Sequence, residues 1–171
     1  MTTLSLNVPV PSAVAALADD LAPSLTPFDR VRDDHTFVLK RLADGSPPPH
    51  RLREQARTAL AGAGPVRARV DGLGVFEWPP SGPGPVLYLA VESPGLVAMH
   101  ETLVDALGAV EGLEGSDYTP HVTLARGADL PPAALDRLCD RSVPAVEWTV
   151  DRLLVYDAGY DEVAARLSLP V

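Results

Sequence analysis

The sequence predicts an α+β protein of two pseudo-symmetric sheet-and-helix lobes facing a central cleft, on three observations. An apolar strand pattern recurs about half a chain apart, each copy runs into an amphipathic helix, and each helix is followed by a histidine that opens a new apolar run. The 171 residues suit a single domain spanning 1–171, and 46% hydrophobic residues can bury a real core.

The repeat aligns without a gap at an offset of 83 residues. Leu4, Leu6, Val8, Pro11, Val14 and Ala15 meet Leu87, Leu89, Val91, Pro94, Val97 and Ala98, so the repeat units begin near residues 4 and 87. In each copy alternating apolar residues make a half-buried strand, and a proline then opens a helix as it can in a first turn. The first helix would bury Val14, Leu17 and Leu21; the second, Leu96, Met99, Leu103 and Leu107. The histidine strands are His35-Thr36-Phe37-Val38-Leu39 and His121-Val122-Thr123-Leu124-Ala125. Their histidines are 86 residues apart, close to the repeat offset.

Between the units the pattern predicts a helix around 50–61 and a long strand over 66–78, bent at Gly72-Leu73-Gly74. Proline-rich runs at 46–49 and 79–85 read as loops. A helix near 131–140 and closing strands over 145–157 and 162–169, with Gly159 in the turn, complete the chain. The N-terminal residues have neither the basic start nor the long apolar stretch of a signal peptide, and read as the first strand.

A net charge of −9 argues against wrapping long nucleic acid, which needs many cation–phosphate contacts. A short anionic substrate in a locally basic pocket remains compatible. Arginine supplies nearly all the positive charge, since Lys40 is the only lysine. No apolar run reaches the ~20 residues of a membrane helix, so no membrane is expected. The lone Cys139, in the apolar pattern of Leu135 and Leu138, reads as core and fits a reducing cytoplasm.

Two lobes brought face to face would set His35 and His121 across one cleft. One neutral imidazole could take a proton from the attacking oxygen while its protonated partner gives one to the leaving oxygen. Phosphoryl oxygens also need donors. Thr123, two residues along the strand, shares a face with His121; Arg126 stands at the strand end, and Lys40 and Arg41 lie in the matching region of the first unit. His50 and His100 read as ordinary surface or partly packed histidines, Trp78 and Trp148 as sheet packing, and Tyr118 as a better candidate for stacking a base.

The run Pro120-His121-Val122-Thr123-Leu124-Ala125-Arg126 resembles the second motif of the two-histidine phosphoesterases, whose branch called 2′-5′ RNA ligase carries histidine–x–threonine or serine twice. The segment 70–76 resembles that family's glycine-bent central strand, and strand order, length and histidine spacing agree over nearly the whole chain. The resemblance implies catalytic His35 and His121, phosphate binding by Thr123, Thr36, Arg126 and Lys40, and neither metal nor organic cofactor. It implies hydrolysis of 2′,3′-cyclic phosphates to 2′-phosphates, with reversible 2′-5′ joining of RNA ends as the reaction that named the branch.

Partners would be RNA ends or small cyclic nucleotides, with no stable protein partner implied. A substrate such as a cyclic mononucleotide or ADP-ribose cyclic phosphate is the first alternative, and a non-catalytic RNA- or nucleotide-binding module the second. One departure bears on the choice: Phe37 stands where the first motif should have its hydroxyl. On a regular strand Thr36 points away from His35, so either a bulge turns it inward or this half lacks its phosphate donor.

Overall fold

A computed structural model describes residues 3–42, 45 and 47–171. Strand β1 (Leu4–Val8) leads into α1 (Ser12–Leu21), a short strand β2 (Arg30–Val31) and β3 (Phe37–Arg41). Helix α2 (Pro49–Ala59) and the long β4 (Val66–Phe76) precede the second unit: β5 (Val86–Glu92), α3 (Pro94–Leu107) and β6 (His121–Arg126). Helix α4 (Pro132–Cys139), β7 (Glu147–Val150), β8 (Arg152–Asp157) and β9 (Glu162–Ser168) close the chain. No helix among the described residues is long and apolar enough to cross a membrane.

Both sheets are antiparallel, one in the order β3-β1-β8-β9 and the other β2-β6-β5-β4-β7. The α+β class and two-sheet plan therefore follow the sequence reading, but the sheets are not consecutive halves of the chain. The first half sends β2 to pair with β6, and the last two strands return to complete the first sheet. The closing strand expected over 145–157 breaks at Asp151. Its first part pairs with β4 in one sheet and its second with β1 in the other.

Alternation explains which faces meet the core. Leu4, Leu6 and Val8, Phe37 and Leu39, Leu87 and Leu89, and Val122 and Leu124 are all buried. The helices bury matching rows: Val14, Leu17, Ala18 and Leu21 in α1, and Leu96, Met99, His100 and Leu103 in α3. Helix α3 starts with Pro94 in its first turn, and the Ser93 hydroxyl accepts the Leu96 amide at 3.2 Å. It stops at Gly108, whose φ of 82° suits glycine. His100, expected at or near the surface, is wholly buried; Cys139 is half-buried rather than core.

The two motif ladders match residue for residue. In β1 and β3, Ser5 faces Arg41 and Leu6 faces Lys40; the register then shifts, and Asn7 faces Val38 and Val8 faces Phe37. In β5 and β6, Val86 faces Arg126 and Leu87 faces Ala125; after the same shift, Tyr88 faces Thr123 and Leu89 faces Val122. Thr36 through Arg41 are thus the counterparts of His121 through Arg126, with the same in–out burial order. The ladder pairs β1 with β5 two residues out of the 83-residue alignment. The 83-residue offset matches the same residue types because a two-residue slip keeps every side chain on its face.

Candidate functional site

His121 opens β6, half-buried, on the face turned to the cleft between the sheets. Its Nδ1 donates to the Thr119 carbonyl at 2.7 Å, which fixes the ring and leaves Nε2 as the lone-pair nitrogen of the neutral form. Phe76 and Tyr88 flank the ring edge-on, with centroids 5.1 and 5.2 Å away. Burial among these groups pushes the imidazole below its ordinary value; the Thr119 hydrogen bond opposes the shift, and the charge of Arg41 adds to it. Tyr88 reaches the site because Gly74 has no side chain: a Cβ there would lie 2.5 Å from the tyrosine ring.

Thr123, Arg126, Thr36, Val38, Arg41 and Arg32 line the same cavity of about 350 Å³, with Trp78 and Tyr118 also on its wall. Trp78, expected in sheet packing, is 90% exposed at this rim. Among the described residues, Arg32, Arg41 and Arg126 have no carboxylate within ion-pair distance. Burial lowers the affinity of Arg41 and Arg126 for their protons; for Arg126 the neighbouring charges of Arg32 and Arg30 act the same way. Three guanidinium groups free of ion pairs outnumber the acidic residues on the wall, of which Asp117 is one, and in a chain of net charge −9 this local excess of positive charge favours an anionic ligand. Arg126 also donates from Nη1 to the Ser81 carbonyl at 3.2 Å, and its Nε is enclosed without a described partner.

Two expected site residues are not brought to the cleft. Lys40 is 1% exposed; its ammonium lies 2.5 Å from Glu114 Oε1 and also bonds the Arg41 carbonyl, so it serves the core. Its position, the counterpart of Ala125, lies at the register shift, which breaks the alternation: Leu39 and Lys40 are both buried, and Arg41 returns to the cleft. His35 precedes β3 and sits one residue outside the cleft-facing row, opposite in the repeat to Pro120. Both nitrogens of its enclosed ring are without a described partner. The reason is parity: the strands repeat at 85 residues, the histidines at 86, and one residue of offset reverses the face. Thr36 therefore faces the cleft without needing a bulge.

Arg41 was visible in the sequence as the counterpart of Arg126 once the strands are aligned from their ends. Arg32, Phe76 and Tyr88 had no local signal.

The cleft wall is held by side chains from the second unit that bond the backbone of β3, an edge strand. The Tyr118 hydroxyl donates to the Val38 carbonyl at 3.0 Å, and burial raises that phenol above its usual range. His100 accepts the Gly115 amide on Nε2 at 2.9 Å, so its Nδ1 donates to the Leu39 carbonyl at 2.7 Å, and its ring stacks on Tyr118. Glu114 accepts the Arg41 amide at 2.7 Å and the Val110 amide at 3.0 Å. No group of three or more potential metal ligands is found among the described residues.

A family model described as the 2′-5′ RNA ligase superfamily matches residues 10–162. Among solved structures, TT0787 of Thermus thermophilus is 22% identical, with 98% of this chain and 97% of that one covered and a TM-score of 0.62. The E. coli LigT structure complexed with 3′-AMP is 15% identical, with 99% of each chain covered and a TM-score of 0.65. Usb1 of Kluyveromyces marxianus is 12% identical, covered over 99% and 97%, with a TM-score of 0.55. No curated protein matches the chain.

Proposed function

The chain belongs to the 2′-5′ RNA ligase superfamily, which supports a phosphoesterase-type function, and on that footing we propose that its cleft binds a nucleotide phosphate and hydrolyses its diester. The observation that carries this reading is His121: its Nδ1 is tied to Thr119, and it stands among Thr123 and three guanidinium groups without carboxylate partners. A neutral imidazole can take the proton of an attacking water, and the Thr123 and Thr36 hydroxyls and the arginines can hold the phosphoryl oxygens. The diester to test first is a 2′,3′-cyclic phosphate, on a mononucleotide or at an RNA end, with the 2′-phosphate as product. An acidic chain favours the smaller ligand, a cyclic nucleotide or ADP-ribose cyclic phosphate.

Product analysis on cyclic mononucleotides and on oligonucleotides with the same end tests the proposal. His121→Ala should cost about 10²–10⁴ in turnover, the usual weight of proton-transfer help; unchanged turnover would refute it. A second reading, nucleotide binding without turnover, is favoured by Thr36 and Val38 standing opposite His121 and Thr123 in the repeat. It expects no hydrolysis and retained binding in His121→Ala.

A further inference from the structure

The duplicated ladders allow the two motif strands to be compared position by position. Thr36, Val38 and Arg41 hold the cleft-facing places that His121, Thr123 and Arg126 hold in the other strand. The guanidinium is present in both. The imidazole of one strand is an alcohol in the other, and the alcohol of one is an isopropyl group in the other.

Substitution at phosphorus sets the entering and leaving oxygens roughly in line, on opposite sides. One imidazole reaches one of them. Neutral His121, with its lone pair on Nε2, is suited to take the proton of the entering water. On the side of β3 the leaving oxygen meets the Thr36 alcohol, the Val38 isopropyl and the Arg41 guanidinium. An arginine offers charge and hydrogen bonds but keeps its proton.

Resting on the phosphoesterase reading, we infer that this chain is a one-histidine phosphoesterase whose first motif strand stabilises the leaving oxygen by charge without protonating it. Efficient turnover is then confined to phosphodiesters with a weakly basic leaving oxygen, such as a phenol or phosphate oxygen. The water oxygen bonds to phosphorus as its proton passes to His121 Nε2. The bond from phosphorus to the leaving oxygen breaks, its electron pair departs with that oxygen as a phenolate or phosphate anion, and the imidazolium returns its proton to solvent. A ribose cyclic phosphate, whose leaving oxygen is a sugar alkoxide, is a slow substrate on this account.

The test uses the full chain, a series of nucleoside aryl phosphodiesters of graded phenol acidity, and a 2′,3′-cyclic mononucleotide. Turnover by the unaltered protein should fall steeply as the leaving phenol becomes more basic, and His35→Ala should match it. The double variant Thr36→His/Val38→Thr should flatten that dependence and speed the cyclic phosphate by about a hundredfold or more, the weight of a restored proton donor. A shallow dependence in the unaltered protein, or a large loss in folded His35→Ala, overturns the inference by showing that some group does protonate the leaving oxygen. The unaltered protein's dependence decides the matter even if the double variant fails to fold. Absence of turnover on every ester, with a nucleoside 2′-phosphate still bound, overturns the phosphoesterase reading and this inference together; hydrolysis with a shallow dependence overturns this inference alone.

Discussion

Lys40 and Glu114 form an ion pair of 2.5 Å with both side chains essentially out of solvent, joining the first motif strand to the loop before the second. Glu114 also receives the amides of Arg41 and Val110, so removing it strands several donors at once. Breaking a buried pair by deleting one partner typically costs about 3–5 kcal/mol. Lys40→Met and Glu114→Leu should each lower unfolding stability by that order in urea titrations, although neither side chain itself lines the cleft.

Acid should inactivate the protein through His121. Its imidazole is held below the ordinary value, first by burial, so the folded state resists the proton that the unfolded chain accepts at about pH 6.5. The working neutral form is therefore present at neutrality, and its stability contribution is lost as pH falls below the unfolded value. A pH profile of kcat/KM should show a rising limb centred below about 6.5. A limb centred above it would contradict the desolvated site.

Gly74 supports the site by what it lacks. Adding a methyl group would drive the Tyr88 ring from its place beside His121 and Phe76. Gly74→Ala should cost about 1–3 kcal/mol, as overpacking does, and should lower turnover as well. Thermal unfolding and kinetics on the same sample check both parts.

Thr123→Val removes a hydroxyl and keeps the shape of the side chain. Loss of one donor to a developing phosphoryl charge can cost about a hundredfold in rate. Turnover should fall by that order with the melting temperature unchanged. Thr36→Val should also reduce turnover, because Thr36 faces the same cavity.

The fold class, the repeat and the second motif were legible in the sequence because they rest on local periodicity. Pro94, Leu96, Met99 and Leu103 announce a helix and its buried face, and His121 and Thr123 share a face through simple alternation. The first motif was misleading for an equally physical reason. His35 is the conspicuous residue, but facing depends on parity, and Phe37 and Leu39, both fully buried, set the parity of that strand. Lys40 looked like a phosphate ligand until Glu114, 74 positions away, supplied its partner. Arg32 enters the cleft through the pairing of β2 with β6, a non-local event that no window of sequence contains.

The crossover at Asp151 has a consequence for how the chain acquires its shape. Strand β1 pairs on one side with β8, synthesised well over a hundred residues later, so Leu4 must wait for Asp157. A nascent chain that has emerged only as far as β7 holds β1 and β3 as a two-stranded ribbon, with β1 lacking its second neighbour. Such ribbons are marginal in water, and pairings between distant positions close slowly. The first lobe is consequently assembled late during synthesis, and until then its open strand is the surface most in need of protection from other chains.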